Sequence, residues 1–234
     1  MPDSLGLEGI IVEKYYSAGK AGTKDTATGI LPKNAVTYRI YVDMKPGYFL
    51  QAVYGVPGHQ LLIKTTTTFF NDKAGGQKTG DQIDDKMINE HALALDSWVT
   101  LGLATKSHLG ILKQDDKDAS IIKRKELDKA DGLIAGKSFT NIIGFGLDLN
   151  FFQDSTNTAS VFSSDNGSWA SLRGVAGSTA DNRVLIAQLT TDGKLSFELN
   201  LQLFLPATGK IQQWVARNPI GAEKKLEGLI YRSN

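Results

Sequence analysis

An alternating pattern in residues 184–205, VLIAQLTTDGKLSFELNLQLFL, constrains the fold of this chain more than any other feature. After the central turn, a leucine or phenylalanine occupies every second position from Leu195 to Leu205, with polar residues between them as far as Gln202. Successive side chains of a β-strand point to opposite faces, so this pattern predicts a strand with one apolar face. Phe204 breaks the alternation and is expected to mark the end of the strand.

The same stretch predicts a β-hairpin whose register can be argued from polarity. A two-residue loop at Asp192 and Gly193 would place polar residues opposite apolar ones, whereas a three-residue loop at 191–193 keeps one face apolar. The expected cross-strand pairs are Leu189 with Leu195, Ala187 with Phe197, and Leu185 with Leu199. We therefore expect antiparallel strands with one face in the core and one face in water.

Most of the remaining chain also has strand character. Strands are predicted at residues 7–16, 36–44, 48–54, 60–70, 93–103, 108–113, 140–152, 160–162, 211–216 and 226–231. Within 36–44, one face is expected to carry Val36, Tyr38, Ile40 and Val42, and the other Thr37, Arg39, Tyr41 and Asp43. Residues 81–91 are expected to form a short helix, residues 71–80 an exposed loop, and residues 114–131 a charged loop with one helical turn. This pattern predicts an all-β fold, namely an antiparallel β-sandwich, with a jelly roll as one form of it and one or two short helices. A single domain over residues 1–234 is expected, with a subdivision near 114–131 as the alternative.

Two segments near the ends of the chain are similar to each other. GLEGIIVEKYY begins at Gly6, and KLEGLIYRS begins at Lys225. They indicate either an internal repeat or two edge strands in similar environments. We favour the edge strands.

Composition excludes several classes of function. The 234 residues carry a formal net charge of +1, which argues against a general nucleic-acid surface, and contain no cysteine, which excludes disulfides and thiolate sites. Hydrophobic residues make up 41% of the chain and charged residues 22%, as in soluble proteins, so no membrane insertion is expected. The first ten residues lack the pattern of a signal peptide, so we expect either a cytoplasmic protein or one whose leader has been removed.

Few residues suggest chemistry. His59, His91 and His108 lack metal-ligand spacing, and no nucleotide or nucleophile motif is present. Two aspartate groups could supply oxygens to calcium, but solvated charge runs are the favoured interpretation. These groups are Asp115, Asp116 and Asp118, and Asp81, Asp84 and Asp85. No catalytic, cofactor-binding or metal-binding residue is therefore predicted, and calcium is kept as an alternative.

A carbohydrate site is the other chemical alternative. Asp96 and Trp98 are expected on one strand face, where an exposed indole beside a carboxylate can hold a sugar, and Trp169 and Trp214 could act in the same way. Asn166, Gly167 and Ser168 match a glycosylation acceptor. Gly144 and Gly146 flank Phe145 in a strand-like run, where glycine indicates a bulge or a close backbone approach.

Several strand motifs resemble those of a known group of proteins. They are VTYRIYVDMKPGYFLQAVYGVPGHQLLIKTTTTFFND, LALDSWVTLG, NRVLIAQLTTDGKLSFELNLQL and WVARNP, with the strongest likeness at 37–41, 52–55, 65–70 and 96–102. The chain resembles the poorly characterised β-rich modules of large secreted or surface proteins of Bacteroidota-type bacteria. This resemblance implies an extracellular or cell-surface location and no catalytic residue.

Together, the patterns and the resemblance lead us to expect a non-enzymatic extracellular structural or adhesive module. The alternatives are a carbohydrate-binding domain and a self-assembling filament subunit, so the expected partners are surface glycans or further copies of the chain. If the function is localised, the loops at 71–80 and 114–131 are the first places to look.

Overall fold

The computed structural model describes residues 5–19, 23–24, 30–117, 121–125, 127, 129–136 and 142–234. Its regular structure is almost entirely β, which confirms the predicted fold class. The strands are β1 (Leu7–Ser17), β2 (Thr23–Lys24), β3 (Ile30–Leu31), β4 (Val36–Met44), β5 (Phe49–Gly55), β6 (Leu61–Lys64), β7 (Trp98–Val99), β8 (His108–Gly110), β9 (Leu133–Ala135), β10 (Ile143–Phe145), β11 (Val161–Ser164), β12 (Gly167–Val175), β13 (Arg183–Thr191), β14 (Ser196–Glu198), β15 (Asn200–Leu205), β16 (Lys210–Val215), β17 (Lys224–Lys225) and β18 (Ile230–Arg232).

The helices in the described residues are short 3-10 turns. They are Gly80–Gln82, Leu93–Leu95, Lys113–Asp115, Leu149–Phe152 and Glu227–Leu229. None of the helices within these ranges has the length and apolar character needed to cross a membrane. The helix predicted at 81–91 is wrong, because after Gly80–Gln82 the chain continues in turns, and the Asp84 side chain accepts a hydrogen bond from the backbone N–H of Lys86. Such a local bond competes with helical hydrogen bonding.

The first layer of the sandwich is a four-stranded antiparallel sheet in the order β1-β4-β13-β7. Its central strand β4 is covered on both faces. Ile40 and Val42 point into the core between the layers, while Arg39 and Tyr41 point to the opposite side, and all four are buried. The alternation in residues 36–44 predicted these two faces correctly.

The second layer consists of a six-stranded sheet, β10-β12-β5-β15-β16-β17, and a four-stranded sheet, β11-β6-β14-β18. Five connections between the described strands pass from one sheet to the other, so we describe the two sheets as one bent layer. They are β5 to β6, β10 to β11, β11 to β12, β14 to β15, and β17 to β18. The core between the layers contains, among others, Tyr38, Ile40, Val53, Ile63, Trp169, Val184, Leu189, Phe197, Leu201 and Trp214. This arrangement is a β-sandwich.

The bend of the second layer is held by Asn200. Its side-chain nitrogen donates to the carbonyls of Tyr54 (3.1 Å) and His59 (2.9 Å), and its oxygen accepts from the backbone N–H of Ala216 at 3.0 Å. Asn200 is buried at the point where β14 gives way to β15. One amide therefore links the protruding turn after β5 to the strands beside it.

The hairpin predicted within residues 184–205 does not form. β13 pairs with β4 and β7, whereas β14 pairs with β6 and β18, and β15 with β5 and β16. The apolar residues from Leu195 to Leu203 are buried as predicted, but they meet Val184 and Leu189 across the core. The turn at 191–194 therefore crosses between layers, and it is held by the bond from Lys194 N–H to the Thr66 hydroxyl. Phe204 is the penultimate residue of β15, which ends at Leu205, so the expected strand end agrees to within one residue.

An irregular third layer covers the outer face of the first sheet. A second core cluster lies there, and it includes Tyr15, Tyr41, Ile83, Leu93, Trp98, Leu112, Ile122, Leu127, Leu133 and Leu185. Part of the charged segment 114–131 contributes to this cluster through Ile122 and Leu127. These two residues of the segment are therefore packed against the first sheet.

Several predicted strands are shorter than expected. Residues 93–103 form the 3-10 turn Leu93–Leu95 and the two-residue strand β7, and residues 60–70 form only β6. The nine-residue strand β12 was not predicted. β1 and β18 are each the outermost strand of a sheet, which confirms the edge-strand interpretation of the two similar segments.

Candidate functional site

The tryptophans do not form a sugar-binding surface. Trp98, Trp169 and Trp214 are each no more than 2% exposed, and the Trp169 indole donates to the carbonyl of Thr100 at 3.1 Å. Asp96, the proposed partner of Trp98, is also fully buried. The interpretation of these residues as an exposed sugar platform is wrong, because the apolar clusters on both sides of the first sheet enclose their rings.

The loop at 71–80 is tied down by two buried carboxylates. One oxygen of Asp72 accepts from Ala74 N–H and Gly75 N–H, and Asp96 accepts from the backbone N–H groups of Asp72 (2.8 Å) and Gln77 (3.2 Å). Burial raises the pKa of Asp96 well above its usual range, and the backbone hydrogen bonds oppose that shift. Asn71, Asp72 and Thr79 are buried, so the expectation of an exposed loop is wrong. These carboxylates hold the loop in place.

The three histidines lie in separate surroundings. His59 Nε2 lies 2.9 Å from a Glu223 carboxylate oxygen, His108 Nδ1 lies 2.6 Å from an Asp85 oxygen, and His91 occupies a turn with a φ of 49°. Within the described ranges, no three histidine, aspartate or glutamate side chains come together in a way that could hold a metal ion.

The Asp85 cluster resembles a catalytic triad in composition only. The carboxylate accepts hydrogen bonds from Ser107 and Thr105 and pairs with His108. Burial opposes ionisation, but these hydrogen bonds outweigh it and hold the pKa of Asp85 below its usual value. A nucleophile must bond to its base, and here the Ser107 hydroxyl bonds to the carboxylate instead. The Thr105 hydroxyl lies 3.2 Å from His108 Nδ1, but that nitrogen and the hydroxyl both bond to the same oxygen of Asp85. The geometry therefore fits a link between two turns.

Protein groups engage three of the described aspartates of the calcium alternative, whereas Oδ1 of Asp81 is buried without a hydrogen-bond partner among the described residues. Asp115 pairs with Arg183 at 3.1 Å, the backbone N–H of Gly132 donates to Asp116, and Asp84 pairs with Lys106 at 3.3 Å. Asp81 lies in the turn Gly80–Gln82, and Asp118 lies outside the described residues.

A buried polar network that the sequence did not reveal centres on Arg39. Its guanidinium donates to Gln188 Oε1 (2.9 Å) and to the carbonyls of Asp131 (3.2 Å) and Gly132 (3.0 Å), and it lies over the Tyr15 ring at 3.6 Å. Arg39 shares a predicted strand face with Tyr41, but such a face is usually solvated. No local signal shows that a third layer covers it. The network joins that layer to the first sheet and has no opening to solvent at Arg39.

The strongest candidate for a binding surface is the outer face of the six-stranded sheet. Three large apolar side chains are exposed on its strands, namely Leu172 (77%), Ile211 (55%) and Phe145 (54%). Buried Gln212 and Trp214 alternate with Ile211 and Gln213, so the latter two point outward. The surface thus combines exposed apolar groups with uncharged amides.

A recess of about 380 Å³ lies on this face. It is lined by Ala52, Tyr54, Gly55, Val56, Phe145, Asn166, Gly167, Ser168, Ala170, Gln202 and Gln213, none of which carries a charged side chain. Asn166, the predicted glycosylation acceptor, is exposed in the turn between β11 and β12 at the rim. Asn166 stands out in the sequence as a glycosylation acceptor and Phe145 as part of a glycine-flanked strand. The sequence does not predict that they lie in one recess with Gln202 and Gln213.

Glycine allows the close packing that positions Phe145. Gly146 has a φ of 60°, and a Cβ atom at this position would lie 2.0 Å from the carbonyl oxygen of Asn166. The prediction that the glycines around Phe145 mark a close backbone approach is therefore confirmed. It places the end of β10 directly against the turn before β12.

Two further clefts lie near the aromatic cluster of Phe69, Phe151, Phe152 and Phe162. One, of about 350 Å³, is lined mainly by threonine, serine and asparagine side chains between residues 68–73 and 155–158. The other, of about 410 Å³, contains Asp148 and Asp154, whose carboxylates each accept a backbone hydrogen bond from two residues further along the chain. Neither cleft has a large exposed apolar side chain comparable to Phe145, apart from Val161 in the second.

Comparison with known proteins identifies no relative. No protein-family model matches this chain, and no curated protein or solved structure matches it significantly. The class that the structure defines is therefore an all-β sandwich.

Proposed function

We propose that this chain is a non-enzymatic structural or adhesive β module that works outside the cell or at its surface. The observation that carries the proposal is the outer face of the six-stranded sheet, where exposed Phe145 lines an uncharged recess and Leu172 and Ile211 are exposed on other strands of the same sheet. An exposed apolar side chain in a recess rimmed by polar groups is typical of a binding surface. The resemblance to β-rich modules of secreted and surface proteins supports the location.

The arrangement of titratable groups supports the non-enzymatic part of the proposal. Asp85 and His108 are paired with each other, and the hydroxyl of Ser107 is directed to Asp85. Asp72 and Asp96 are occupied by backbone N–H groups in the interior. In each case the charged group has a structural partner at the position where catalysis would need a substrate.

Adhesion measurements test the proposal directly. The wild-type chain and a triple variant, Phe145→Ser with Leu172→Ser and Ile211→Ser, are compared on immobilised cellulose, mannan, mucin, collagen and purified bacterial envelopes. We expect the wild type to adhere to at least one of these and the triple variant to lose adhesion while it keeps a cooperative melting transition. Met87→Ser removes an exposed apolar side chain from the third layer and serves as the matched control.

Two results would contradict the proposal. One is equal adhesion by the triple variant and the wild type, since the named face would then have no role. The other is multiple-turnover hydrolysis of polysaccharides or esters by the purified chain, because the module would then be an enzyme.

A self-assembling subunit is the second candidate, and one observation favours it. The eleven-residue strand β1 is the outermost strand of its sheet, and such an edge can pair with another chain. Glu8, Glu13 and Lys14 lie along β1, and charges of this kind oppose edge-to-edge pairing, so adhesion stays first. Light scattering over a concentration series separates the two, because only a filament subunit grows in mass as its concentration rises.

A further inference from the structure

The recess beside Phe145 has the chemistry of a saccharide subsite, and this inference rests on the proposed adhesive function. It deepens that function by naming the class of ligand. The argument uses the position of one aromatic ring, the uncharged polar groups around it, and the size of the recess.

Phe145 supplies an exposed apolar wall that is held in place. β10 pairs with β12 so that Phe145 lies opposite Ser168, and the close contact of Gly146 with Asn166 fixes the end of the strand. The ring is about half exposed although its backbone is anchored on a sheet. A ring held on a rigid strand can stack against a ligand without first becoming ordered.

Neutral hydrogen-bonding groups surround the ring. Gln202 donates from Nε2 to Gln51 Oε1 at 2.9 Å, which orients its amide, and Gln213 lies opposite Gln202 on the neighbouring strand. Asn166 and Ser168 add further donors and acceptors at the rim. These groups can bind hydroxyls in either direction of donation.

The lining selects against charge. It contains no side chain that is charged at neutral pH, and Tyr54 is its one titratable residue. Burial, and to a smaller extent the nearby Glu223 carboxylate, raises the pKa of Tyr54 to about 12. A charged ligand would lose water here without gaining an ionic partner, and a wholly apolar ligand would leave the amides unsatisfied. A sugar ring meets both requirements, because it offers C–H groups on one face and neutral hydroxyls at its edge.

We propose that the recess binds a neutral oligosaccharide, with one unit on Phe145 and Asn166 through its C–H face and hydroxyls, and the hydroxyls of a following unit on Gln202 and Gln213, which lie on strands further across the sheet. The volume of about 380 Å³ lies within the range of small-molecule sites, roughly 300–1,000 Å³. The open position on a sheet face suits part of a longer chain. This site contains no tryptophan and is separate from Asp96 and Trp98.

Calorimetric titration with defined oligosaccharides tests the assignment. The probes are maltoheptaose, cellohexaose and mannohexaose, with an oligogalacturonide as the acidic counterpart. We expect at least one neutral probe to bind and the acidic probe to bind more weakly. Phe145→Ala is expected to weaken binding by about tenfold or more, since the ring provides the stacking surface.

Matched variants separate the ring from general apolarity. Phe145→Leu keeps an apolar side chain but removes the aromatic face, so its affinity is expected to fall close to that of Phe145→Ala. Gln213→Leu keeps the size of the side chain and removes its hydrogen bonds, and it should also weaken binding. Met87→Ser lies on the third layer and is expected to bind as tightly as the wild type. Because Phe145 is about half exposed, these variants are expected to fold, which a melting curve verifies.

The outcomes distinguish this inference from the proposed function. If no saccharide binds while adhesion to mucin or collagen persists and depends on Phe145, the saccharide assignment is overturned and the adhesive function stands. If a neutral saccharide binds but Phe145→Ala binds it equally well, the recess is the wrong site. If Phe145→Ala instead abolishes a concentration-dependent dimer and no saccharide binds, the occupant is a second copy of the chain, and the assignment is again overturned.

Discussion

Replacing Arg39 with methionine is expected to destabilise the fold because it removes the described donor to the buried Gln188 Oε1, at 2.9 Å. The guanidinium also donates to the carbonyls of Asp131 and Gly132, at 3.2 and 3.0 Å, but these keep a second donor, the Tyr15 hydroxyl and the Ile111 N–H respectively. A buried acceptor that loses its partner costs about 1–3 kcal/mol, and the stacked Tyr15 ring adds a cation–π contribution of about 2 kcal/mol. The methionine recovers part of the loss because no charge has to be buried. We expect a net loss of about 2–4 kcal/mol from the unsatisfied Gln188 oxygen and the lost contact with the Tyr15 ring.

Urea denaturation followed by tryptophan fluorescence measures this loss. With a denaturant dependence of about 3 kcal/mol per molar urea, the transition midpoint should fall by roughly 0.7–1.3 M. Arg173→Met removes an exposed arginine from β12 and is expected to change stability by no more than about 0.5 kcal/mol. Hydrogen exchange should also accelerate at 121–125, because the network ties this part of the third layer to the first sheet through Asp131.

One result would refute the reasoning. If Arg39→Met lowers the free energy of unfolding by less than about 1 kcal/mol, either the acceptors find other donors or the third layer is not closed over the network. The double variant Arg39→Met with Gln188→Leu then tells these apart. Gln188→Leu also removes the bonds from Gln188 Nε2 to the carbonyls of Ala94 and Asp96, so it is measured alone as well. If the network is closed, the double variant loses less stability than the sum of the two single variants, because both remove the same Arg39–Gln188 hydrogen bond.

Three further predictions follow from single residues. The pKa of Asp85 is lowered in the folded state, so its ionised form stabilises the fold at pH values above the ordinary pKa of 3.8. That stabilisation is lost as the pH falls further. Hydrogen exchange at 104–108 should therefore rise in acid for the wild type but not for Asp85→Asn. Asn200→Ala should cost about 2–3 kcal/mol in a thermal or urea transition, because the carbonyls of Tyr54 and His59 and the N–H of Ala216 each lose a hydrogen bond. A loss below about 0.5 kcal/mol would contradict the role of the amide. Gly146→Ala should weaken saccharide binding, and it should cost more stability than Gly209→Ala. Both glycines have a positive φ, but only at Gly146 would a Cβ atom meet a backbone oxygen. Equal stability costs for the two variants would argue against the fixed position of β10.

The candidate site shows how much of a binding site can be predicted from residue patterns alone. Phe145 was read as part of a strand and Asn166 as a glycosylation acceptor, and both descriptions concern their local sequence. Gln202 was assigned to the polar face of its strand, which proved to be the outer face of the sheet. Their assembly into one recess depends on the pairing of β10, β12, β5, β15 and β16, and strands so far apart in sequence leave no local signal of that order.

The sequence by itself determined which side of each strand is apolar. From Leu195 to Leu203 every second side chain is buried, and Ile40 and Val42 share a core face, as a period of two requires. Only the tertiary structure decided which strands are neighbours, because alternation defines a face but does not name the strand that lies beside it. Residues 184–191 and 195–203 each have an apolar face. Two such faces can be buried either by packing against each other across a core or by lying side by side in one sheet. In the structure, β13 pairs with the central strand β4 of the first layer, whereas β14 and β15 pair with β6 and β5 of the second layer. The segment predicted as a hairpin therefore crosses between the two layers of the sandwich.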